Sequence, residues 1–445
     1  MKNRNILNNI YNLISTIDNA HINIFIEEIY ENQIELHLKN KKIKKNNIDY
    51  GARIIIENNK EIKYKSLSFL NYEDMFYQVI NYIQETLNLK LINKHKKIIF
   101  KRINDKTVNI NKQHKYKIMT EMMQSLVGYD SLKVAFYEKK ENIFIIENRS
   151  KCILNIKNFY AKVMLRGKIQ DNEIFDFILS DNGYKNITKA NIESLINRFK
   201  RISYIKTTKT NISNGIYDLV LSNNCGTVFH EMLGHNLELD LVNKSNLDLF
   251  KKGNNLGNPL ITFVDNTSCN KLLNIKYDDY ITKTYNRVLI NKGIVKQYIS
   301  TLRSENYKYL PSTRMTNSYL KPNKESKLLN LKNIKNGIYV YKIGMGRLYL
   351  EKQKFEIKVD AGCLIKDGNL LDNVSDLTFI VDVTDFIKKI NYIGNDLNFV
   401  PTVCGASSGN VFAYVGAPTV CVKDIHIVQK GSLSSSVGDV QTLDK

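Results

Sequence analysis

The stretch His230-Glu231-Met232-Leu233-Gly234-His235 decides how this chain is read. It sets two histidines five residues apart, with a carboxylate beside the first, in a 445-residue protein that has only seven histidines. Imidazole is the commonest protein ligand for zinc, and a glutamate that stays off the metal can take a proton from a metal-bound water. That is the equipment for hydrolysis. The spacing departs from His-Glu-x-x-His, whose histidines lie about 40° apart around a helix that advances about 100° per residue. Five residues leave the rings about 140° apart after a full turn, so an ideal helix points them to different faces. A π-type turn, which closes i to i+5, brings them together, and Gly234 stands where such a distortion is tolerated. The stretch therefore predicts a widened or bulged helix over residues 230–235. Glu231, His235 and Glu238 make a rival set, because i, i+4 and i+7 share one face of an undistorted helix. A plain surface helix whose histidines and acids face water is the third reading.

A catalytic zinc takes three protein ligands and keeps a fourth position for water, so two histidines leave one ligand to find. Cys404, in Thr402-Val403-Cys404-Gly405-Ala406-Ser407-Ser408-Gly409, is the best-placed thiol, because small residues let backbone approach a metal closely. Cys421 and His426 sit in the terminal strand pattern, where an apolar cysteine is a packed core residue more often than a ligand. Cys225, just before the helix, has core and capping roles open to it as well as chemistry. Spacing alone leaves these alternatives standing.

Outward from the motif, an apolar strand over 217–221 feeds through Ser222-Asn223-Asn224-Cys225-Gly226 into the His-Glu helix. Downstream the chain reads mostly as strands, over 261–264, 288–290, 295–299, 338–343, 355–359, 363–365 and 419–428. Asn291-Lys292-Gly293 and Lys366-Asp367-Gly368 are hairpin turn candidates. Upstream, an amphipathic helix over 1–18 precedes alternating strands over 21–27, 34–38, 52–57 and 62–69, with a turn at Asn58-Asn59-Lys60. Helices follow over 72–87, 118–127 and 191–201, with strands over 134–137 and 143–147 between them. The Thr-, Lys- and Asn-rich segment 206–214 reads as a linker. The expected class is α+β: an N-terminal α/β domain over 1–205, then a β-rich, metal-binding domain over 206–445.

Composition is that of an ordinary globular protein, 43% hydrophobic and 24% charged, with only five prolines. The formal charge of +21 invites a nucleic-acid or anionic-membrane partner. Lys, Asn and Ile are abundant throughout, however, as an A/T-rich codon bias produces. The basic clusters, Lys41-Lys42-Ile43-Lys44-Lys45, Lys94-His95-Lys96-Lys97 with Lys101-Arg102, and Lys112 to Lys117, are scattered and interleaved with Asn and Ile. No zinc-knuckle spacing or Gly-rich RNA-binding signature accompanies them, so a specific nucleic-acid partner is not expected. No apolar run reaches the roughly 18 residues of a membrane span. The six cysteines, Cys152, Cys225, Cys269, Cys363, Cys404 and Cys421, form no disulfide framework, which points to a reducing cytoplasm.

Several further motifs stand in order around the first. His230-Glu231-x-x-Gly234-His235-x-Leu237-Glu238-x-Asp240 is followed by Arg314-Met315-Thr316-Asn317, Gly344-Met345-Gly346, Gly394-Asn395-Asp396, Cys404-Gly405 and Gly416-Ala417-Pro418-Thr419. From about residue 210 onward this resembles the TldD/PmbA metallopeptidase family. The resemblance implies zinc held by His230, His235 and Cys404, with Glu231 as general base. It also implies a dimer enclosing a cavity where short or unfolded peptides are cut. That dimer is either a homodimer or a heterodimer with a PmbA-like subunit that has lost the metal motif. Because this chain keeps the ligands, it looks like the active, TldD-type member. Ala406-Ser407-Ser408 departs from the more polar, often basic stretch usual in the family, which touches substrate preference rather than a ligand. The rival functions are a non-catalytic scaffold subunit of such a complex, a basic nucleic-acid-binding protein, and a hydrolase of non-peptide bonds. Arg314 has two readings, a donor fork for substrate or a structural ion pair. Gly344 and Gly346 suit close approach of an extended peptide or ordinary turns.

Overall fold

In the computed structural model of this chain the described residues are 2–38, 42–58, 61–89, 99–103, 108–150, 152–244, 248–267, 273–275, 278, 284–300, 314–349, 352–406 and 409–429. The chain divides into two compact units. The main body of the first is Met1–Phe199; the second is built from Lys200–Lys276 and Thr284–Lys445.

The first unit begins with α1 (Lys2–Ile14) and the strands β1 (His21–His37), β2 (Lys42–Asn58) and β3 (Glu61–Ser68). Then come α2 (Tyr72–Leu87), β4 (Ile99–Ile103), α3 (Lys112–Ser125), β5 (Ser131–Glu147), β6 (Cys152–Ile169), β7 (Asn172–Ser180), β8 (Asn182–Gly183) and α4 (Lys189–Thr207), which runs on past Phe199. The strands form one sheet in the order β3-β2-β1-β5-β6-β4, with β7 and β8 also on β6. Pairings are antiparallel except that β4 and β8 run parallel to β6. Alternate residues Ile22, Ile24 and Ile26 of β1 pack with Ile54 and Ile56 of β2 against Ile10 and Ile14 of α1 and Met75, Val79 and Ile83 of α2.

Helix α2 has the bounds its periodicity predicts. Elsewhere the structure joins what the side-chain pattern separates: the strands expected over 21–27 and 34–38 are one strand, β1, and those over 134–137 and 143–147 are one strand, β5. Glu27 to Gln33 break the alternation, yet β1 is flanked on both sides there, with Glu31 opposite Asn47 and Lys139. Ladder hydrogen bonds carry the backbone where the pattern lapses. Strands β6 and β7 have no counterpart in the sequence reading. The expected linker is partly helical, since α4 extends through Thr207. Asn59, Lys60, Lys41, the Lys94–Lys97 cluster and Cys269 lie outside the described residues.

The second unit contains β9 (Gly215–Leu221), α5 (Gly226–Phe229), α6 (Leu239–Lys244), β10 (Phe263–Asp265), β11 (Arg287–Asn291), β12 (Ile294–Val295) and β13 (Asn317–Leu320). It continues with β14 (Asn336–Tyr349), β15 (Lys354–Lys366), β16 (Asn369–Val374), β17 (Leu377–Asp382), α7 (Val383–Lys389), β18 (Ile390–Ile393), β19 (Asn398–Ala406), β20 (Gly409–Ala417) and β21 (Val420–Gln429). One sheet has the order β12-β11-β10-β13-β20-β19. The other runs β14-β9-β21-β17-β15-β16, and β14 also pairs with β15, so five of its strands close a ring. Leu219 and Leu221 of β9, Phe229, Met232, Leu233, Phe263, Ile338 and Phe355 share one apolar core. Both hairpin turns form as two-residue loops with both central residues left-handed: Lys292 and Gly293 at φ 48° and 77°, Asp367 and Gly368 at 47° and 78°. That is the turn whose twist matches the flanking strands. Helices and sheets mixed in this way make the fold α+β. Among the described residues no helix is long and apolar enough to cross a membrane.

Candidate metal centre

The helix that carries the histidines starts against a sheet. Strand β9 ends at Leu221, a turn closes by the bond from Cys225 N–H to Ser222 O, and α5 begins at Gly226. A Cβ on Gly226 would lie 2.8 Å from the backbone of Val415 and Gly416, so only glycine lets the helix begin against β20. From His230 to Gly234 the helix widens to π geometry, and the His235 N–H bonds to His230 O. The two rings consequently face one another with centroids 5.1 Å apart at 77°. Gly234 plays a different part from the one the sequence reading gave it. Its φ and ψ, −64° and −51°, are those of any right-handed helix, so the backbone does not need a glycine. A Cβ there would instead lie 2.0 Å from Met315 Sδ; the glycine makes room for a buried methionine. One short 3-10 turn follows, His235–Leu237, and the chain becomes extended at Glu238 (φ −76°, ψ 121°).

His230, His235 and Cys404 are brought together. One donor atom from each lies within 4.8 Å of the others, and all three residues are buried. Each ring is held by one nitrogen and presents the other. His230 Nδ1 hydrogen-bonds Ser318 Oγ at 2.7 Å, and its Nε2 is buried with no hydrogen-bond partner. His235 Nδ1 donates to Glu238 Oε2 at 2.8 Å while its Nε2 faces Cys404 Sγ at 3.4 Å. Locking Nδ1 to a hydroxyl or carboxylate so that Nε2 points inward is how metal-ligating histidines are oriented. An orphaned buried nitrogen is costly unless something occupies the space before it, and two imidazoles with one thiolate are a donor set that suits zinc. The residues fit the ion. The rival set is not assembled: the chain leaves the helix at Glu238, so the i+7 relation fails and this carboxylate lands on the outer side of His235. The surface-helix reading fails as well, since both rings are buried. Cys225, Cys421 and His426 are not part of the cluster; Cys225 is buried, with its thiol directed at Val340 O.

The electrostatics divide the residues by role. Burial, aided by His235 and Arg314, pushes His230 well below the ordinary histidine range, so its ring is neutral. Burial opposes protonation of His235 too, but Cys404 and Glu238 outweigh it and push that ring up to about 10. A metal ion would compete with the proton for this same nitrogen, because ligands bind in their deprotonated form. Burial raises the Glu231 carboxyl, and Glu238 adds to the rise against the opposing pull of His235 and Arg314. Glu231 Oε2 lies 3.4 Å from His235 Nε2, and its side chain is 23% exposed where those of His235 and Glu238 are 11% and 2%. A Cβ on Gly346 would come within 3.3 Å of Glu231 Cγ and 2.9 Å of the Phe355 ring, so this glycine clears space for the glutamate stem.

The remaining motifs hold these groups in place. Arg314 donates to Cys404 O and Sγ and to Gly409 O. Met315 fills the space at Gly234. The Thr316 N–H and hydroxyl donate to Asp265, a buried carboxylate pushed up to about 6 chiefly by burial. Asn317 ties Asn266 to Leu273 through its amide. Asp396 accepts from the Thr419 N–H and hydroxyl, which joins the Gly394-Asn395-Asp396 and Gly416-Ala417-Pro418-Thr419 motifs beside the start of the histidine-bearing helix. Sequence reasoning missed Ser318 and Asp265. Neither carries a local signal: Ser318 is 88 residues from the histidine that it orients.

Residues 214–429 match the family model described as the PmbA/TldA metallopeptidase C-terminal domain. A metalloprotease TldD homologue of Buchnera aphidicola is 26% identical over 247 residues, 51% of either chain, so the chain spans about half the length of that relative. A zinc metalloprotease TldD homologue of Saccharolobus solfataricus is 22% identical over 437 residues, 90% of this chain and 95% of that one. In three dimensions the chain is similar to TldE from Thermococcus kodakarensis, with a TM-score of 0.65 over 92% of this chain and 96% of the other at 12% identity.

Proposed function

This chain belongs to the TldD/PmbA family of metallopeptidases, and we propose that it is an active, TldD-type zinc-dependent peptidase. The observation that carries the reading is the buried, unpartnered Nε2 of His230 converging with His235 Nε2 and Cys404 Sγ. A metal-free scaffold or a nucleic-acid-binding protein has no use for three buried donors aimed at one point. Held there, zinc supplies Lewis-acid polarisation of a water and of the substrate carbonyl. Glu231 is the base: its carboxylate takes the proton from the attacking water and returns it to the leaving amine, a task that its raised carboxyl suits. Ser318 and Glu238 each engage Nδ1 of their histidine, which leaves Nε2 of His230 and of His235 as the nitrogen turned toward the site.

The substrate class proposed is short or unfolded peptide. Cys404 lies on β19, a terminal strand in its sheet that pairs with β20 alone among the described strands. An extended peptide added to such an edge is bound through its main chain, with little readout of sequence. The working assembly, as the family resemblance implies, is a homodimer or a heterodimer with a PmbA-like subunit, with the chemistry carried by residues 206–445. The five described cysteines are all free thiols, which supports a reducing cytoplasm as its location.

Zinc-edge anomalous scattering from crystals, paired with hydrolysis of an unfolded peptide by wild type and Glu231→Gln, tests the reading. The expected result is one zinc bonded to His230, His235 and Cys404, with hydrolysis lost in the variant. Density on Glu238 in place of Cys404 would overturn the ligand set. Hydrolysis unaffected by Glu231→Gln would overturn the base, and a metal-free protein would return the chain to the scaffold reading.

A further inference from the structure

We infer that Arg314 is a positioning residue of the metal centre, tying the Cys404 ligand to the His235 ligand through Glu238. The inference rests on the zinc-site reading and extends it to a residue with no donor atom of its own for a metal.

Cys404 needs a tether. It sits on β19, which has a strand on one side only among the described residues, while the two histidines ride on a buried helix. Arg314 supplies the tether from neither element. Its Nη1 donates to Gly409 O at 3.0 Å, and its Nη2 donates to Cys404 O at 3.0 Å and Cys404 Sγ at 2.9 Å. Gly409 opens β20 and Cys404 lies on β19, so one guanidinium clasps both strands of the hairpin. On its other flank Arg314 Nε lies 3.7 Å from Glu238 Oε1, between side chains only 9% and 2% exposed. The second oxygen of that carboxylate holds His235 Nδ1. Hydrogen bonds from Arg314 to Cys404, opposite charges 3.7 Å apart between Arg314 Nε and Glu238 Oε1, and the hydrogen bond from His235 Nδ1 to Glu238 therefore join the sulfur ligand to an imidazole ligand.

This path uses what separates arginine from lysine. A planar fork can serve two carbonyls and a sulfur on one flank and a carboxylate on the other; an ammonium is a point charge with no such reach. An N–H directed at a thiolate would also draw charge from the sulfur and so strengthen the Lewis acidity of a cation held there. Substrate binding, the other role open to a lone arginine here, fits poorly with a side chain that is 9% exposed and makes three hydrogen bonds to the β19–β20 hairpin.

The test compares purified wild type with Arg314→Lys and Glu238→Gln. Arg314→Ala is avoided because it strands the buried Glu238 charge and endangers folding. Zinc affinity is measured by competition with a chelator, and the cobalt(II)-substituted proteins are examined for the thiolate-to-cobalt absorption band. Circular dichroism of the metal-free forms verifies that each variant is folded. The expected result for Arg314→Lys is a loss of zinc affinity of about 10–100-fold, the range for partners of metal ligands, with a displaced or weakened thiolate band and an unchanged KM for peptide. Glu238→Gln moves zinc affinity in the same direction. A folded Arg314→Lys with wild-type zinc affinity, an unaltered band and a raised KM overturns the inference and makes Arg314 a substrate-binding residue. A wild-type cobalt protein with no thiolate band, or one whose band survives Cys404→Ser, sinks the zinc-site reading itself, a failure visible without any Arg314 variant.

Discussion

Helix α2 and the helical segment that carries the histidines are built on opposite principles. The first is regular for 16 residues. Asn71 caps its first turn by accepting from the Glu73 and Asp74 N–H groups, Asn88 ends it in the left-handed region, and Met75, Val79, Ile80 and Ile83 are buried on one stripe. Local propensity, two caps and an apolar face are enough to define it. The second passes through α, π, 3-10 and extended backbone between Gly226 and Glu238, and it buries His230, His235, Asn236 and Glu238. Its shape answers to distant residues: Val415 and Gly416 at its start, Met315 at Gly234, Ser318 and Cys404 at its rings. A helix that buries carbon can be regular. One that must aim two imidazoles at a single point gives up regularity to do so.

The strongest challenge to this contrast is chemical. Glu231→Gln is expected to lower peptide hydrolysis by about 10²–10⁴-fold with zinc retained, the range for a positioned general base; stoichiometric zinc with undiminished turnover would remove the functional reason for the distortion. Next is the buried carboxylate behind Thr316. A folded-state value near 6 for Asp265 against an ordinary 3.8 means that its favourable contribution is complete below about pH 4 and disappears as pH rises through about 6. Denaturation of wild type and Asp265→Asn at several pH values should therefore show wild type losing up to about 3 kcal/mol relative to the variant between pH 4 and 7. A constant difference would mean that Asp265 does not titrate there.

Glycine substitutions probe the packing directly. In an exposed regular helix Gly→Ala stabilises by about 1 kcal/mol. At Gly226 and Gly234 the sign should reverse, to a loss of about 1–3 kcal/mol, because the added methyl meets the backbone of Val415 and Gly416 or the Met315 side chain. Combining Gly234→Ala with Met315→Ala should give less loss than the two separate effects summed, as expected for residues in contact; strict additivity in urea melts would contradict the packing role. The smallest effect belongs to the regular helix. Asn71→Ala should cost about 1 kcal/mol through the lost cap, with no change in zinc content or turnover.

Much of both units was legible because it is local. The stripe of α2, the two left-handed hairpin turns, and the apolar runs of β9, β14 and β21 follow from side-chain period and turn chemistry. So does the widened helix at residues 230–235, which the five-residue spacing requires if the rings are to meet. What escaped is non-local. The continuity of β1 and β5 through polar residues comes from ladders on both flanks, and no side chain announces them. The spacing marks Gly234, but the need for glycine there comes from Met315, which is remote in sequence. An unbroken helix makes Glu238 a candidate ligand, and only the break in the helix puts it behind His235.

Which residue types are available for chemistry is written in the chain: two histidines and a glutamate at a spacing that an ideal helix cannot use, and a cysteine in a small-residue segment far downstream. Tertiary structure alone decided which nitrogen of each ring is presented, which carboxylate stands inside and which outside, and that Arg314 grips the Cys404 hairpin. The physical reason is range. Helical periods and turns are set by neighbours a few residues apart, whereas a buried donor takes its direction from whichever hydroxyl, carboxylate or methionine the fold packs against it.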